Sequence, residues 1–118
     1  MRPAEKPIGP ALMLKRAVQR VIRLAMFKEL DPLLHSQLRL AVMSLLISLE
    51  EADFVYLREK SGATAGNLSV QLEKLAQAQY IEVDKGYSGK RPRTTCRITP
   101  AGRAAFEAYV DALRSYTE

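Results

Sequence analysis

The chain has 118 residues, of which 47% are hydrophobic and 26% are charged, and this suits one domain with a modest core. The apolar run at residues 40–49 is about half of what a membrane-spanning helix needs, and the first residues lack the apolar core of a signal peptide. One cysteine cannot make an internal disulfide or build a thiolate metal site. These features predict a cytoplasmic protein without a membrane partner.

Positive charge is concentrated in two segments of the chain. Residues 1–30 carry seven Lys or Arg and two Glu, and residues 85–103 carry six Lys or Arg and no acid. All other residues together carry five basic against eleven acidic side chains, so the net charge of +5 comes from those two segments. Such a distribution favours contact with a polyanion, and the alternative from charge alone is that the basic segments are merely solvated faces.

The first predicted element is a strongly amphipathic helix. Residues 1–9 form an N-terminal arm, and Pro10 is suited to open a helix that runs to about Glu29. Its apolar sector covers roughly half of the circumference, more than packing on one small neighbour requires. The basic residues lie opposite. We therefore expect this helix to make a subunit contact, and the alternative is a helix that lies on an anionic membrane surface.

Two further helices are expected before residue 62. Asp31-Pro32 and Ser36 are caps before the run Leu38–Leu49, which is apolar nearly all round and so should be central to the core. Asp53 then caps a short helix, Phe54 to Lys60, which Ser61-Gly62 ends.

A helix-turn-helix and a basic hairpin follow. Thr64 caps a helix that runs to about Gln79, with Leu68, Leu72 and Leu75 as its buried stripe. Two short helices joined by a tight turn with a glycine make a helix-turn-helix. Period-two alternation in 80–84 and 95–99 predicts two strands with one buried face made by Ile81, Val83, Cys96 and Ile98, joined by a basic loop at 86–93. Thr99-Pro100 opens a last helix with Phe106, Tyr109 or Val110, and Leu113 as its apolar stripe.

In this order and spacing the chain resembles the winged-helix transcriptional regulators, specifically the small prokaryotic group close to the MarR and ArsR types. Four motifs carry the resemblance: Leu30–Ser36 with Arg39; Asp53-Phe54 with Leu57-Arg58; Gly66–Ser69 with Leu72, Lys74 and Leu75; and Gly89–Thr94 leading to Ile98–Arg103. The resemblance implies an α+β fold, mainly α with a small β-hairpin wing. The winged helix-turn-helix core then spans 30–104. From the amphipathic pattern of the terminal helices, and not from the resemblance, we expect one or both of the added segments 1–29 and 105–118 to make the dimer contact. The resemblance also implies a homodimer that binds double-stranded DNA, usually as a repressor. The lack of catalytic motifs in the sequence separately predicts that the chain is not an enzyme.

The predicted recognition helix, residues 64–79, presents a small polar face that suits a major groove. Asn67 and Gln71 have the donor and acceptor pair that adenine requires, Val70 suits a thymine methyl, and Lys74 suits a guanine edge or a phosphate. Thr64 and the first backbone amides are placed to hold a phosphate. The predicted wing, residues 85–95, suits phosphates or a minor groove. The residues expected to contact DNA are Thr64, Gly66, Asn67, Ser69, Val70, Gln71 and Lys74 on the helix, and Lys90, Arg91, Arg93 and Thr94 on the wing.

The sequence gives little support for a metal site, a redox cysteine or a catalytic site. His35 is the only histidine and has no nearby cluster of metal ligands, and Cys96 falls on an inward strand position, so no cofactor and no metal are expected. The sequence contains no motif for a glycine-rich phosphate loop and none for a nucleophile paired with a base. A small-molecule effector between the dimer helices is compatible with so small a regulator. The alternative to sequence-specific DNA binding is a winged helix that contacts protein.

Overall fold

The computed structural model describes residues 9–117, except for the side chains of residues 23–26. Three strands form one antiparallel sheet in the order β1-β3-β2. The fold is mainly α with a small β-hairpin, which confirms the predicted class. The predicted arm lies, up to residue 8, outside the described residues. The elements are α1 (Pro10–Met26), α2 (Gln37–Leu49), β1 (Glu51–Asp53), α3 (Phe54–Ser61), α4 (Ala65–Gln77), β2 (Ile81–Ser88), β3 (Arg91–Ile98) and α5 (Pro100–Arg114).

Local capping chemistry sets where three of the helices begin. Each of α3, α4 and α5 is preceded by a side-chain oxygen that accepts a hydrogen bond from the backbone N–H three residues later. Ser36 occupies the equivalent position before α2, but its side chain makes no capping bond. The capping residues are the predicted ones, Asp53, Thr64 and Thr99.

Helix α2 runs through the middle of the molecule, as its nearly continuous apolar sequence predicts. It packs against α3, α4, α5, β1 and β3, and its Val42, Met43 and Leu46 are fully buried. The three leucines of α4 and the inward side of the hairpin close the core from the other side. On the predicted hairpin face, Ile81, Cys96 and Ile98 are buried and Val83 is half-buried. This packing holds α4 so that its other side remains in solvent.

The strands differ from the prediction because their pairing depends on distant residues. Strand β1 was not predicted, and its three residues pair with residues 95–97 of β3. The loop predicted at 86–93 is mostly strand, since the β2–β3 ladder continues to Ser88 and Arg91 and leaves only a two-residue turn. Gly89 takes φ +65° in that turn, which is the glycine-first pattern of a tight hairpin.

Two helices also end earlier than predicted. Helix α1 ends at Met26 rather than near Glu29, and α4 ends at Gln77 rather than Gln79. Gln79 has a left-handed backbone, φ +65°, which a continuing helix does not allow. On α5, Tyr109 is buried as expected, but Leu113 is exposed.

Helix α1 reaches away from the rest of the chain. Every described residue from 10 to 22 is exposed, including the apolar Leu14 at 66% and Val21 at 65%. The radius of gyration is 21.2 Å, whereas a compact chain of this length has about 13 Å. An isolated helix of this length is marginal in water, and α1 has an apolar side that the rest of the described chain does not cover.

The base of α1 is fixed to the end of α5 through residues 27 and 28. The rings of Phe27 and Tyr116 lie 5.1 Å apart, and the Tyr116 hydroxyl donates to the Lys28 carbonyl at 3.1 Å. The Lys28 backbone N–H donates to Ser115 Oγ at 3.0 Å, and its ammonium group pairs with Asp111, which lowers the pKa of that carboxyl. The two terminal helices therefore meet at one side of the molecule.

A hydrogen bond between Tyr80 and Asp31 ties the end of α4 to the turn before α2. The Tyr80 hydroxyl donates to Asp31 Oδ2 at 2.6 Å, and this bond, with partial burial, raises the pKa of Tyr80 to about 12. The unfolded chain loses the tyrosine proton near pH 10, so the stability from this bond is complete below pH 10 and is lost as the pH rises toward 12.

The variant Tyr80→Phe tests this bond. At neutral pH we expect it to lower the unfolding free energy by about 1 kcal/mol, because Asp31 loses a hydrogen-bond donor. The difference from the wild type should shrink as the pH rises from 10 to 12, measured by urea unfolding with far-UV circular dichroism. Tyr87→Phe is a control, since that ring is 75% exposed and should show no such difference. A pH-independent effect of Tyr80→Phe would contradict the assignment.

Candidate nucleic-acid interface

Helices α3 and α4 are joined by a tight turn. Helix α3 ends at Gly62, which takes the left-handed conformation with φ 71°, and α4 begins after Thr64. Thr64 Oγ1 accepts from the Asn67 N–H at 3.2 Å. Its own hydroxyl proton is still available to donate, so Thr64 can cap the helix and bind an anion at the same time.

The solvent side of α4 holds the residues that were expected to read bases. Gly66, Asn67, Val70 and Lys74 are all exposed, with Val70 at 49%. Leu68, Leu72 and Leu75 are buried on the opposite side. Helix α4 therefore presents a mixed face of amide, aliphatic and ammonium groups beside the hairpin.

Gln71 differs from its neighbours because it is half-buried and bonded to another helix. Its Oε1 accepts from Arg39 Nη1 of α2, and its Nε2 donates to Asn67 Oδ1 at 3.0 Å. Arg39 Nε in turn donates to the Leu33 carbonyl at 2.6 Å. Arg39 stands in one of the resemblance motifs, but its contact with Gln71 was not foreseen.

Basic side chains on the outer face of β3 differ in their ion pairing between the base and the tip of the hairpin. Near the base, Arg97 donates to Glu51 at 2.9 Å and lies 3.7 Å from Glu82. At the tip, Lys90 and Arg91 are exposed and have no ion-pair partner within residues 9–117. The free positive charge of the hairpin is thus concentrated at its tip.

Arg93 is paired less closely than Arg97 but, unlike Lys90 and Arg91, it has an acidic neighbour among the described residues. Its guanidinium lies 3.4 Å from Asp53 Oδ2, while Asp53 Oδ1 accepts the capping bond of α3 from the Tyr56 N–H at 2.8 Å. Both groups of the pair retain access to solvent, so the pairing stabilises little and leaves Arg93 able to turn to a phosphate. The second role of Asp53 was not predicted, because a cap is visible in the sequence and a partner on β3 is not.

Ser69 and Thr94 lie apart from the other predicted contacts. Both line a cleft of about 570 Å³ between α4 and the hairpin, together with Glu73 and Lys85. Thr94 is on the inner face of β3, next to the buried Cys96, whereas Arg91 and Arg93 are on the outer face. The structure therefore groups the predicted residues into a helix face, a hairpin tip and a cleft.

His35 and Cys96 both have structural surroundings. His35 Nδ1 is hydrogen-bonded to the Tyr109 hydroxyl at 2.9 Å, which ties the turn before α2 to α5. Cys96 is fully buried, and burial raises the pKa of its thiol to about 11, which makes it unreactive. In the part of the chain that the structure describes, no group of three metal-ligating side chains converges and no helix can span a bilayer.

The sequence matches a known family model and a known protein. The family model for a winged helix DNA-binding domain matches residues 38–117. An uncharacterised protein of Methanocaldococcus jannaschii is 38% identical over 76 residues, which cover 64% of this chain and 83% of that protein. The region that the family model matches runs from the second residue of α2 through α3, α4 and the hairpin to beyond the end of α5.

Several solved structures have a similar fold. A transcriptional regulator homologue from Pyrococcus horikoshii superposes with a TM-score of 0.69 at 20% identity, over 86% of this chain and 94% of that one. A MarR-family transcriptional regulator from Silicibacter pomeroyi gives 0.60 at 20% identity, over 92% and 73%. BpsR from Bordetella bronchiseptica, whose DNA binding is regulated by 6-hydroxynicotinic acid, gives 0.63 at 20% identity, over 91% and 80%.

Proposed function

The chain belongs to the winged helix DNA-binding domain family, and from that premise we propose that it is a homodimeric transcriptional repressor that occupies an inverted-repeat operator. The observation that carries the proposal is the exposed polar face of α4 beside a hairpin tip with free Lys90 and Arg91. The family binds DNA and is not enzymatic. The activity is therefore binding, and we place it in the cytoplasm.

Helix α4 is proposed to enter the major groove, because recognition helices contact base edges with their N-terminal residues. Asn67 and Val70 lie in that part of the helix, and Lys74 follows one turn later. Thr64 is proposed to bind a flanking phosphate, and the wing an adjacent phosphate or the minor groove. The proposed contact residues are those predicted from the sequence: Thr64, Gly66, Asn67, Ser69, Val70, Gln71, Lys74, Lys90, Arg91, Arg93 and Thr94.

The terminal helices are proposed to form the dimer. Helix α1 exposes its apolar side along the whole described length, and Leu113 and Tyr116 at the end of α5 are exposed beside its base. We propose that a second copy of the chain covers both surfaces. We accordingly divide the chain into a winged-helix core at 30–104 and dimer segments at 1–29 and 105–118.

The double variant Leu14→Glu with Val21→Glu tests the dimer. We expect the wild type to have about twice the monomer mass of 13.2 kDa by light scattering, and the variant to be monomeric, because burying two carboxylates is strongly unfavourable. The core should stay folded, since all described side chains of α1 are exposed.

Gln19→Glu, at another exposed position of α1, is the control and should remain dimeric. A variant that stays dimeric with both charges in place would remove α1 from the interface.

An effector is proposed to act through the same dimer. A small molecule bound between the dimer helices would change the spacing of the two α4 helices and so the fit to two half-sites. The regulation of BpsR by 6-hydroxynicotinic acid is a precedent within this fold.

Selection from a random duplex library by the full chain at physiological salt tests the function. An enriched inverted repeat with half-sites about one helical turn apart would support a dimeric sequence-specific regulator. A pool without enrichment, combined with binding that does not depend on salt, would instead indicate a winged helix that contacts protein.

A further inference from the structure

A chain of three hydrogen-bonded side chains joins α2 to the exposed face of α4. Arg39 donates to Gln71 Oε1, and Gln71 Nε2 donates to Asn67 Oδ1 at 3.0 Å. We call this the Arg39–Gln71–Asn67 relay. Arg39 and Gln71 are half-buried, whereas Asn67 is exposed. The relay therefore begins inside the protein and ends at the surface proposed to face the major groove.

Arg39 is held firmly at the inner end of the relay. Its Nε donates to the Leu33 carbonyl at 2.6 Å, and the Leu33 N–H donates to Asp31 Oδ1 at 2.9 Å. Asp31 Oδ2 accepts from the Tyr80 hydroxyl at 2.6 Å. The guanidinium that bonds Gln71 is thus positioned by a turn that is itself bonded to the end of α4.

The chemistry of arginine sets the direction of every bond in the relay. A guanidinium group only donates, so Gln71 must turn its carbonyl oxygen to Arg39 and its NH₂ group to Asn67. Asn67 must then accept with Oδ1, and its NH₂ group remains for the solvent side. If either amide were rotated by 180°, two donors or two acceptors would face each other and a hydrogen bond would be lost.

We propose that Arg39 is a positioning residue for base specificity, because it turns the N–H groups of Asn67 toward the groove and its oxygen away. A free asparagine pairs with adenine through one donor and one acceptor. In this Asn67 the oxygen already accepts from Gln71 and is held on that side, so the groups free to face the groove are the two N–H donors. Its partners are then the keto bases, guanine with O6 and N7 or thymine with O4, and guanine is favoured because it presents two acceptors. The inference rests on the proposed function and refines it.

The variant Gln71→Glu should reverse the base preference at the position that Asn67 contacts. A carboxylate accepts from Arg39 with one oxygen but cannot donate with the other, so Asn67 must turn its NH₂ group to Glu and its oxygen to the groove. Selection from the random duplex library with both full-length proteins should show one position per half-site at which the wild type prefers a keto base. There, we expect about a tenfold keto preference for the wild type and about a tenfold amino preference, adenine or cytosine, for the variant.

Two further variants separate this effect from charge and from folding. Gln77→Glu adds the same charge at the exposed end of α4 and should weaken binding without changing base preference. Arg39→Met frees both amides to rotate, so the preference at that position should become nearly flat while the rest of the operator is unchanged.

The outcomes distinguish the relay from the function. A wild-type pool without enrichment would overturn the proposed function and the base reading that rests on it. An enriched wild-type pool whose preference is the same in Gln71→Glu, or is retained in Arg39→Met, would overturn the relay alone. An amino preference of the wild type at every helix-contacted position would also overturn it.

Discussion

Gly102→Ala is expected to lower the unfolding free energy by about 3 kcal/mol or more, the upper end of the range for overpacking. A Cβ at this position would lie 2.0 Å from the Tyr80 carbonyl oxygen and 2.8 Å from its carbonyl carbon. These are backbone atoms, and they are held in place because the Thr99 N–H donates to the same oxygen at 3.1 Å and Thr99 Oγ1 donates to the Gln79 carbonyl at 2.6 Å. Relief would require α5 to move off the end of α4.

Urea unfolding followed by far-UV circular dichroism measures this loss, and Gly66→Ala is its matched control. Gly66 is helical and exposed, and a Cβ there meets nothing within 4 Å. Alanine should stabilise α4 at that position by about 0.5–1 kcal/mol. The two glycine variants should therefore shift the midpoint in opposite directions, and a loss at 102 no larger than 1 kcal/mol would contradict the close approach.

DNA binding should weaken by about 10³ between 50 and 200 mM salt if three wing cations per protomer neutralise six phosphates. The corresponding slope of log K against log salt is about −5. In the double variant Lys90→Ala with Arg91→Ala, four of these contacts are lost from the dimer, so the slope should fall to about −2 and binding should weaken for all sequences alike. Fluorescence anisotropy with a labelled operator duplex measures both quantities.

Arg97→Ala is the control for this series. Arg97 is an exposed cation on the same strand, but its charge is already engaged by Glu51 and Glu82. Its removal should leave the slope unchanged. A similar decrease in slope for Arg97→Ala and for the tip variant would show that net charge matters rather than the position of free cations.

Most helices and the inward face of the hairpin could be predicted because their signals are local. A cap such as Thr64 and a leucine repeat such as 68, 72 and 75 lie within one element and need no knowledge of the rest. Strand β1 has three residues and no alternation, and it exists through its pairing with residues 95–97. Its partner is more than 40 residues away, so the sequence near it carries no sign of it.

The same distinction applies to the candidate interface. Asn67, Gln71 and the wing cations are predicted as contacts from the sequence alone, but which charges are free depends on Asp53 and Glu51, which lie elsewhere in the chain. The bond from Arg39 to Gln71 joins two helices across 32 positions. Spacing along α4 shows which side chains face outward, and only the tertiary structure shows which atoms of an amide they present.

Because the thiol of Cys96 is buried, a cysteine introduced at the surface can be labelled selectively in the natural sequence. With the side chain fully enclosed and its pKa near 11, maleimide reagents at neutral pH should leave it unmodified. In the variant Lys90→Cys, the introduced thiol would then react with the reagent while Cys96 does not, so that a cysteine-free variant need not be made first. Spin labels at that one position in each protomer would report the separation of the two hairpin tips, with and without DNA or an added small molecule.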